Sequence, residues 1–142
     1  MKEDNMQQRT ILVYALHDLA TDMKLQSTLK PLQCKIRHVE KKEYLQPVGT
    51  LAGEEVFVKV EKEYEGEDLN APMLVMSGFD SKGVDEVLKL LHSVWLDFDF
   101  PYKAVLTDFN KYWTSLMLYE ELRKEHRKMM DFVKKSEQIE EI

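Results

Sequence analysis

Two short apolar runs constrain this chain more than any other feature: Ile11-Leu-Val-Tyr-Ala-Leu16 and Met73-Leu-Val-Met76. Both are too short for a buried helix and rich in strand formers, which suits strands covered on both faces. Each is followed by a helix-capping residue, Asp18 or Thr21 in the first case and Asp80 or Ser81 in the second, and then by a helical stretch. Leu12 and Leu74, Val13 and Val75, Asp18 and Asp80, and Leu29 and Leu91 each stand 62 positions apart. The repeat predicts two β-α-β halves. Lys35 to Val39 alternates as the second strand and Tyr102 to Leu106 reads as the fourth. The spacing slips to 68 between Lys35 and Lys103 because Leu96 to Pro101 lengthen the second connection.

The helices follow from periodicity. The first spans about 19–29 with Leu19, Met23 and Leu29 inward and Pro31 just beyond it. The second carries Val84, Val87, Leu88, Leu91, Val94 and Trp95 at the spacing of one helical face. Thr114 caps a long last helix with Leu118, Leu122, Met129 and Val133 on one face and His126 interrupting them. Glu120 with Lys124, and Asp131 with Lys135, support it as i,i+4 pairs. The expected fold is α+β: a ferredoxin-like, mixed four-stranded sheet with helices on one face, plus the long C-terminal helix. The alternative is a three-layer fold with a mostly parallel sheet. Residues 1–9 read as a disordered lead-in, 10–135 as one domain, and 136–142 as a frayed tail. Between the halves, residues 40–72 are punctuated by Pro47, Gly49, Gly53, Gly66 and Pro72, with an extra edge strand expected at Val56, Val58 and Val60.

Composition sets the outer limits. A chain of 142 residues, 44% hydrophobic and 32% charged, is long enough to bury a core without metal or disulfide, and Cys34 has no cysteine partner. The polar start of the chain lacks a signal-peptide core and the longest apolar runs fall far short of a membrane span, so the expected location is cytoplasmic. A net charge of −6 disfavours nucleic acid as a partner. The charge is uneven. Residues 54–68 carry −5 and residues 123–135 carry +4, opposite blocks that attract within one molecule or between copies.

Candidate site residues cluster at the last strand-to-helix connection, where strand ends and helix N–H groups meet ligands in α/β folds. Thr107 and Asn110 offer hydrogen bonds there, Lys103 a cation and Trp113 a flat face. Turn formation explains the same residues: Asn110 holds a turn through its own backbone, and Trp113 covers the core. Glu121 and Glu125 lie four apart on one helix face with His126 beside them. The spacing matches neither a zinc nor a di-iron motif, so no metal and no cofactor is expected. Pro47-Val-Gly49-Thr-Leu-Ala-Gly53 lacks the Lys-Ser/Thr ending of a phosphate loop.

The run Lys103-Ala104, Thr107, Asn110, Trp113, Leu118, Glu121-Leu122 and Glu125-His126 resembles the bacterial family catalogued as domain of unknown function 3783. Gln46-Pro-Val-Gly49, Leu51-Ala-Gly53, Glu65-Gly-Glu67-Asp68 and Leu74-Val-Met76 extend the resemblance over most of residues 11–128. It implies no activity, and the basic stretch after His126 lies outside it. The residues therefore predict a noncatalytic regulatory or protein-interaction module, with a homodimer through the C-terminal helix as the expected assembly. A small-molecule-binding domain using Thr107, Asn110 and Trp113 is the alternative. A small enzyme with the same site ranks below both, because no pair of groups is placed to share a proton.

Overall fold

The two apolar runs become the centre of a sheet because strands whose residues are buried on both faces need a neighbour on each side. The computed structural model describes residues 8–94 and 102–140. Strand β1 (Thr10–Tyr14) lies antiparallel to β3 (Met73–Ser77), and every residue of both is buried. Strand β2 (Lys35–Val39) runs parallel to β1 on one side, and β4 (Tyr102–Val105) runs parallel to β3 on the other. The order is β2-β1-β3-β4. This is the expected α+β fold with a mixed four-stranded sheet, two β-α-β halves and a long last helix. The finer topology departs from a ferredoxin-like sheet in one respect. The two strands of each half adjoin here, where the split arrangement interleaves them.

Two cores form, one on each face. Helices α1 (Leu19–Leu29) and α3 (Ser81–Val94) cover Ile11, Val13, Leu74 and Met76 with Leu25, Leu29, Val87 and Leu91. The opposite face holds Leu12, Tyr14, Val39, Met73, Val75 and Ala104. It is covered by Tyr44, by Val48 and Leu51 of the one-turn helix α2 (Val48–Leu51), and by Leu118 and Tyr119 of α4 (Ser115–Glu140). The crossover helices thus share one face and the C-terminal helix takes the other. In α1 the inward residues are Leu25 and Leu29, while Leu19 and Met23 point to solvent at 71% and 62% exposure. That corrects the periodicity reading. Asp22, Leu25 and Leu29 share one helix face by their spacing, and Asp22 reaches His38 at 2.6 Å. An aspartate on the inward edge hides the true stripe from a hydrophobicity count.

The halves are related by a two-fold rotation perpendicular to the sheet, but not at one constant offset. Helix positions match at 62: Asp18 and Asp80 both cap, accepting from the amides of Thr21 and Gly83, and Leu29 and Leu91 are both core. Positions of β1 and β3 match at 63, and those of β2 and β4 at 67, Ile36 with Lys103, one short of the 68 expected for Lys35 and Lys103. Leu12 and Val75 face one way, whereas Leu12 and Leu74 face opposite ways. A one-residue slip reverses the face of a strand residue, so the expected pairings of Leu12 with Leu74 and Val13 with Val75 are corrected. The slip occurs in the turns after β1 and β3. Ala15 and Gly78 both take positive φ, +56° and +81°, and Leu16 and Phe79 both pack against the first core. His17 is the extra residue.

Residues 40–72 hold no strand. The expected edge strand at Val56–Val60 is replaced by irregular chain, with Phe57 93% exposed. This segment lies over the second face of the sheet, held by separate bonds within itself and from β2 instead of along a strand edge. The Gln46 side chain donates to the Val60 carbonyl at 2.7 Å, the Tyr64 amide donates to the Lys42 carbonyl at 3.1 Å, and Arg37 reaches the Leu51 carbonyl at 2.5 Å and Glu43 at 2.6 Å. At the C-terminus α4 runs from Ser115 through Glu140. The reading of Trp95 and of the connection at 96–101 lies outside the described residues, as does most of the lead-in.

Candidate functional site

The turn between β4 and α4 is built by its own side chains. The Thr107 Oγ1 accepts from the amides of Phe109 and Asn110 at 3.2 and 3.0 Å. The Asn110 Oδ1 accepts from the Thr107 amide at 2.8 Å, and its Nδ2 donates to the Val105 carbonyl at 3.1 Å. This reciprocal arrangement is what Thr and Asn at this spacing do when they stabilise a turn. Thr114 then caps α4, accepting from the Met117 amide at 3.1 Å.

The same turn carries α2. The Val48 amide donates to the Trp113 carbonyl at 2.8 Å, and Pro47 bridges Thr114. A Cβ on Gly49 would stand 2.9 Å from the Lys111 Cβ and 2.8 Å from the Val56 side chain. Gly49 is therefore a point of close backbone approach, and the Gln46–Gly49 and Asn110–Trp113 runs meet in space. Sequence inspection found both runs without showing that they touch.

The remaining candidates separate. Trp113 packs its edge on Phe109 and lines an open depression of about 390 Å³ with Met117, Glu120, Glu121 and Lys124. Lys103 lines a different depression, with Leu88 and His92 of α3. His126 sets its ring edge-on to Tyr102, whose other contact is Tyr119. Glu125 is exposed. Of the seven candidates, the structure joins Thr107 with Asn110, and Trp113 with Glu121, the two pairs meeting where the Trp113 amide donates to the Asn110 carbonyl at 3.0 Å. It does not join Lys103, Glu125 or His126 to either pair. Among the described residues no group of three or more His, Cys, Asp or Glu side chains is placed to hold a metal ion, and no helix is long and apolar enough to cross a membrane.

A polar cluster escaped sequence inspection. At the end of β1 the buried Tyr14 hydroxyl pairs with the buried Ser115 Oγ at 2.8 Å, and the Tyr14 ring leans on Tyr44, which stacks on Tyr64. The Tyr44 hydroxyl donates to Asp68 at 2.5 Å, and Asp68 also meets the Leu69 amide at 2.7 Å and His17 at 2.8 Å. Burial pushes both the Tyr14 and Tyr44 phenols well above the ordinary tyrosine range, and Asp68 adds to the effect on Tyr44. Burial pushes the Asp68 carboxyl upward, but the bonds from Tyr44, Leu69 and His17 outweigh it and hold the group below its ordinary value. The cluster fastens residues 40–72 to the sheet. The only sequence signal for it was a tyrosine inside an otherwise aliphatic strand.

The distal half of α4 carries an apolar face that the sheet does not cover. Leu118 and Tyr119 are buried, whereas Met129 and Val133, read as continuing the face of Leu118 and Leu122, are 64% and 41% exposed, and Phe132 is 71% exposed. Met129, Phe132 and Val133 share one face by their i, i+3, i+4 spacing.

The arrangement defines a mixed α+β sheet protein whose last helix outruns its body. A family model described as Domain of unknown function (DUF3783) matches residues 72–129, the second β-α-β unit and the first part of α4. The chain is similar to that family over these residues, a shorter stretch than 11–128; the Gln46–Gly53 and Glu65–Asp68 runs fall outside the match. Neither the curated proteins nor the solved structures give a match.

Proposed function

We propose that this chain is a noncatalytic protein-interaction module whose binding element is the distal half of α4. The observation that carries the reading is the exposure of Met129, Phe132 and Val133 on one face of a helix that has already left the sheet. At 1.5 Å per residue, the helix from His126, which still touches Tyr102, to Glu140 extends about 21 Å past its last packed turn. Methionine and phenylalanine suit recognition of a polypeptide, because flexible and flat apolar side chains adapt to a partner surface. Arg127, Lys128, Lys134 and Lys135 flank the stripe, so the fitting partner offers apolar side chains among carboxylates.

A small molecule at the turn of Thr107, Asn110 and Trp113 is the weaker reading, since Thr107 and Asn110 already direct their side chains into the turn. Hydrogen–deuterium exchange of the full chain, titrated with acidic peptides containing aromatic residues, tests the main reading. Slowed exchange confined to residues 123–137, lost in Phe132→Glu, is expected. Unchanged exchange throughout α4 overturns it.

A further inference from the structure

We infer that the surface meeting the distal half of α4 is the acidic segment 54–67 of a second copy of this chain, in a reciprocal homodimer. The inference deepens the interaction reading and rests on it. The argument is complementarity between two exposed patches. Segment 54–67 is irregular and presents Phe57 at 93% and Val58 at 49% exposure. The same segment carries the exposed carboxylates of Glu55, Glu61, Glu63, Glu65 and Glu67, in excess of the exposed cations Lys59 and Lys62. Among the described residues none of these carboxylates forms an ion pair, and neither do Arg127, Lys128, Lys134 and Lys135 on α4. One patch is apolar and acidic, the other apolar and basic. The net charges of the two segments are opposite in sign.

Contact with the same molecule's segment is not what the structure holds, because the distal helix projects beyond the body while segment 54–67 is tied down through Gln46, Tyr64 and Asp68. Pairing two α4 helices with each other sets Arg127, Lys128, Lys134 and Lys135 of one against the same cations of the other, which like-charge repulsion disfavours. Both patches belong to elements covering the same face of the sheet. A two-fold axis on that side lets each copy supply one helix and one acidic segment, so every contact occurs twice.

Sedimentation velocity of the full chain tests this. A dimer at low salt that dissociates as salt rises is expected, since the pairing is between exposed charges. Arg127→Glu with Lys128→Glu should weaken dimerisation about tenfold or more, Glu61→Lys with Glu63→Lys similarly, and mixing the two variants should recover association, because one contact of the mixed dimer is native and the other pairs the two reversed charge sets. Circular dichroism of each variant confirms that the fold persists. A monomer at every salt concentration, or a dimer indifferent to both reversals, overturns the inference. If the chain is monomeric yet α4 still slows its exchange with acidic aromatic peptides, the second copy is the wrong partner and the interaction reading stands. If neither occurs, both fall.

Discussion

The two β-α-β units share an architecture and differ at one turn. In the second unit a glycine takes the left-handed position, Gly78 at φ +81°. In the first unit an alanine takes it, Ala15 at φ +56°, and one further residue, His17, follows before the cap. That added residue reaches Asp68 at 2.8 Å. The unit with the strained, longer turn is the one that fastens the long connection, whereas the unit with the relaxed turn has only its own helix to start. Repetition fixes the sheet, and the exception to repetition marks where the first unit took on a second task.

The strongest challenge to the comparison is to empty the equivalent core sites. Leu29→Ala and Leu91→Ala should each cost about 2–5 kcal/mol by chemical denaturation, and similarly to each other; a difference larger than the cost of either would break the two-fold relation. The turns should respond with opposite signs. Gly78→Ala drives a Cβ into the Gln8 carbonyl and adds positive-φ strain, a loss of about 2 kcal/mol or more, while Ala15→Gly relieves strain and should gain about 0.5–1 kcal/mol. Tyr14→Phe leaves the Ser115 hydroxyl buried without its partner and should cost about 1–3 kcal/mol, with the double variant Tyr14→Phe, Ser115→Ala losing less than the sum. His17→Ala has the smallest expected effect, below about 0.5 kcal/mol, because the pair with Asp68 is exposed.

Acid and alkali sharpen the same contrast. The Asp68 carboxyl is held below its ordinary value of 3.8, so the unfolded chain binds that proton more tightly and stability falls as pH drops through this range. Tyr44 is shifted upward from 10.0, so the unfolded chain loses its proton first and stability falls as pH rises above 10. Tyr44→Phe should flatten the alkaline limb of a stability–pH curve. It leaves the Ile11–Val13 core between α1 and α3 untouched.

The sheet, both crossover helices and their caps were legible because strands buried on both faces and helices with periodic faces announce themselves locally. Asp18, Asp80 and Thr114 all cap as read. The strand offset was not legible, since Leu12 and Leu74 look alike in sequence and only the pleat sets them on opposite faces. Val56, Val58 and Val60 alternate like a strand, but alternation alone supplies no neighbour to pair with. The distal stripe of α4 was legible as an apolar face, but periodicity does not tell whether the body reaches far enough to cover it. Thr107 and Asn110 were found by residue type, but the structure places their side chains in the turn itself, and Lys103, Glu125 and His126 lie apart from it.

Among the described residues, the antiparallel contact between β1 and β3 is the only strand pairing that joins the two units. Five residues on each side make it, all of them buried. Neither unit could stand alone, because each would expose the open edge of its most apolar strand to water. The peptide link through residues 52–72 contributes no strand to that seam. A nick there would thus divide the chain without dividing the sheet, and the molecule is in effect a built-in heterodimer whose halves find each other at the high local concentration a tether provides.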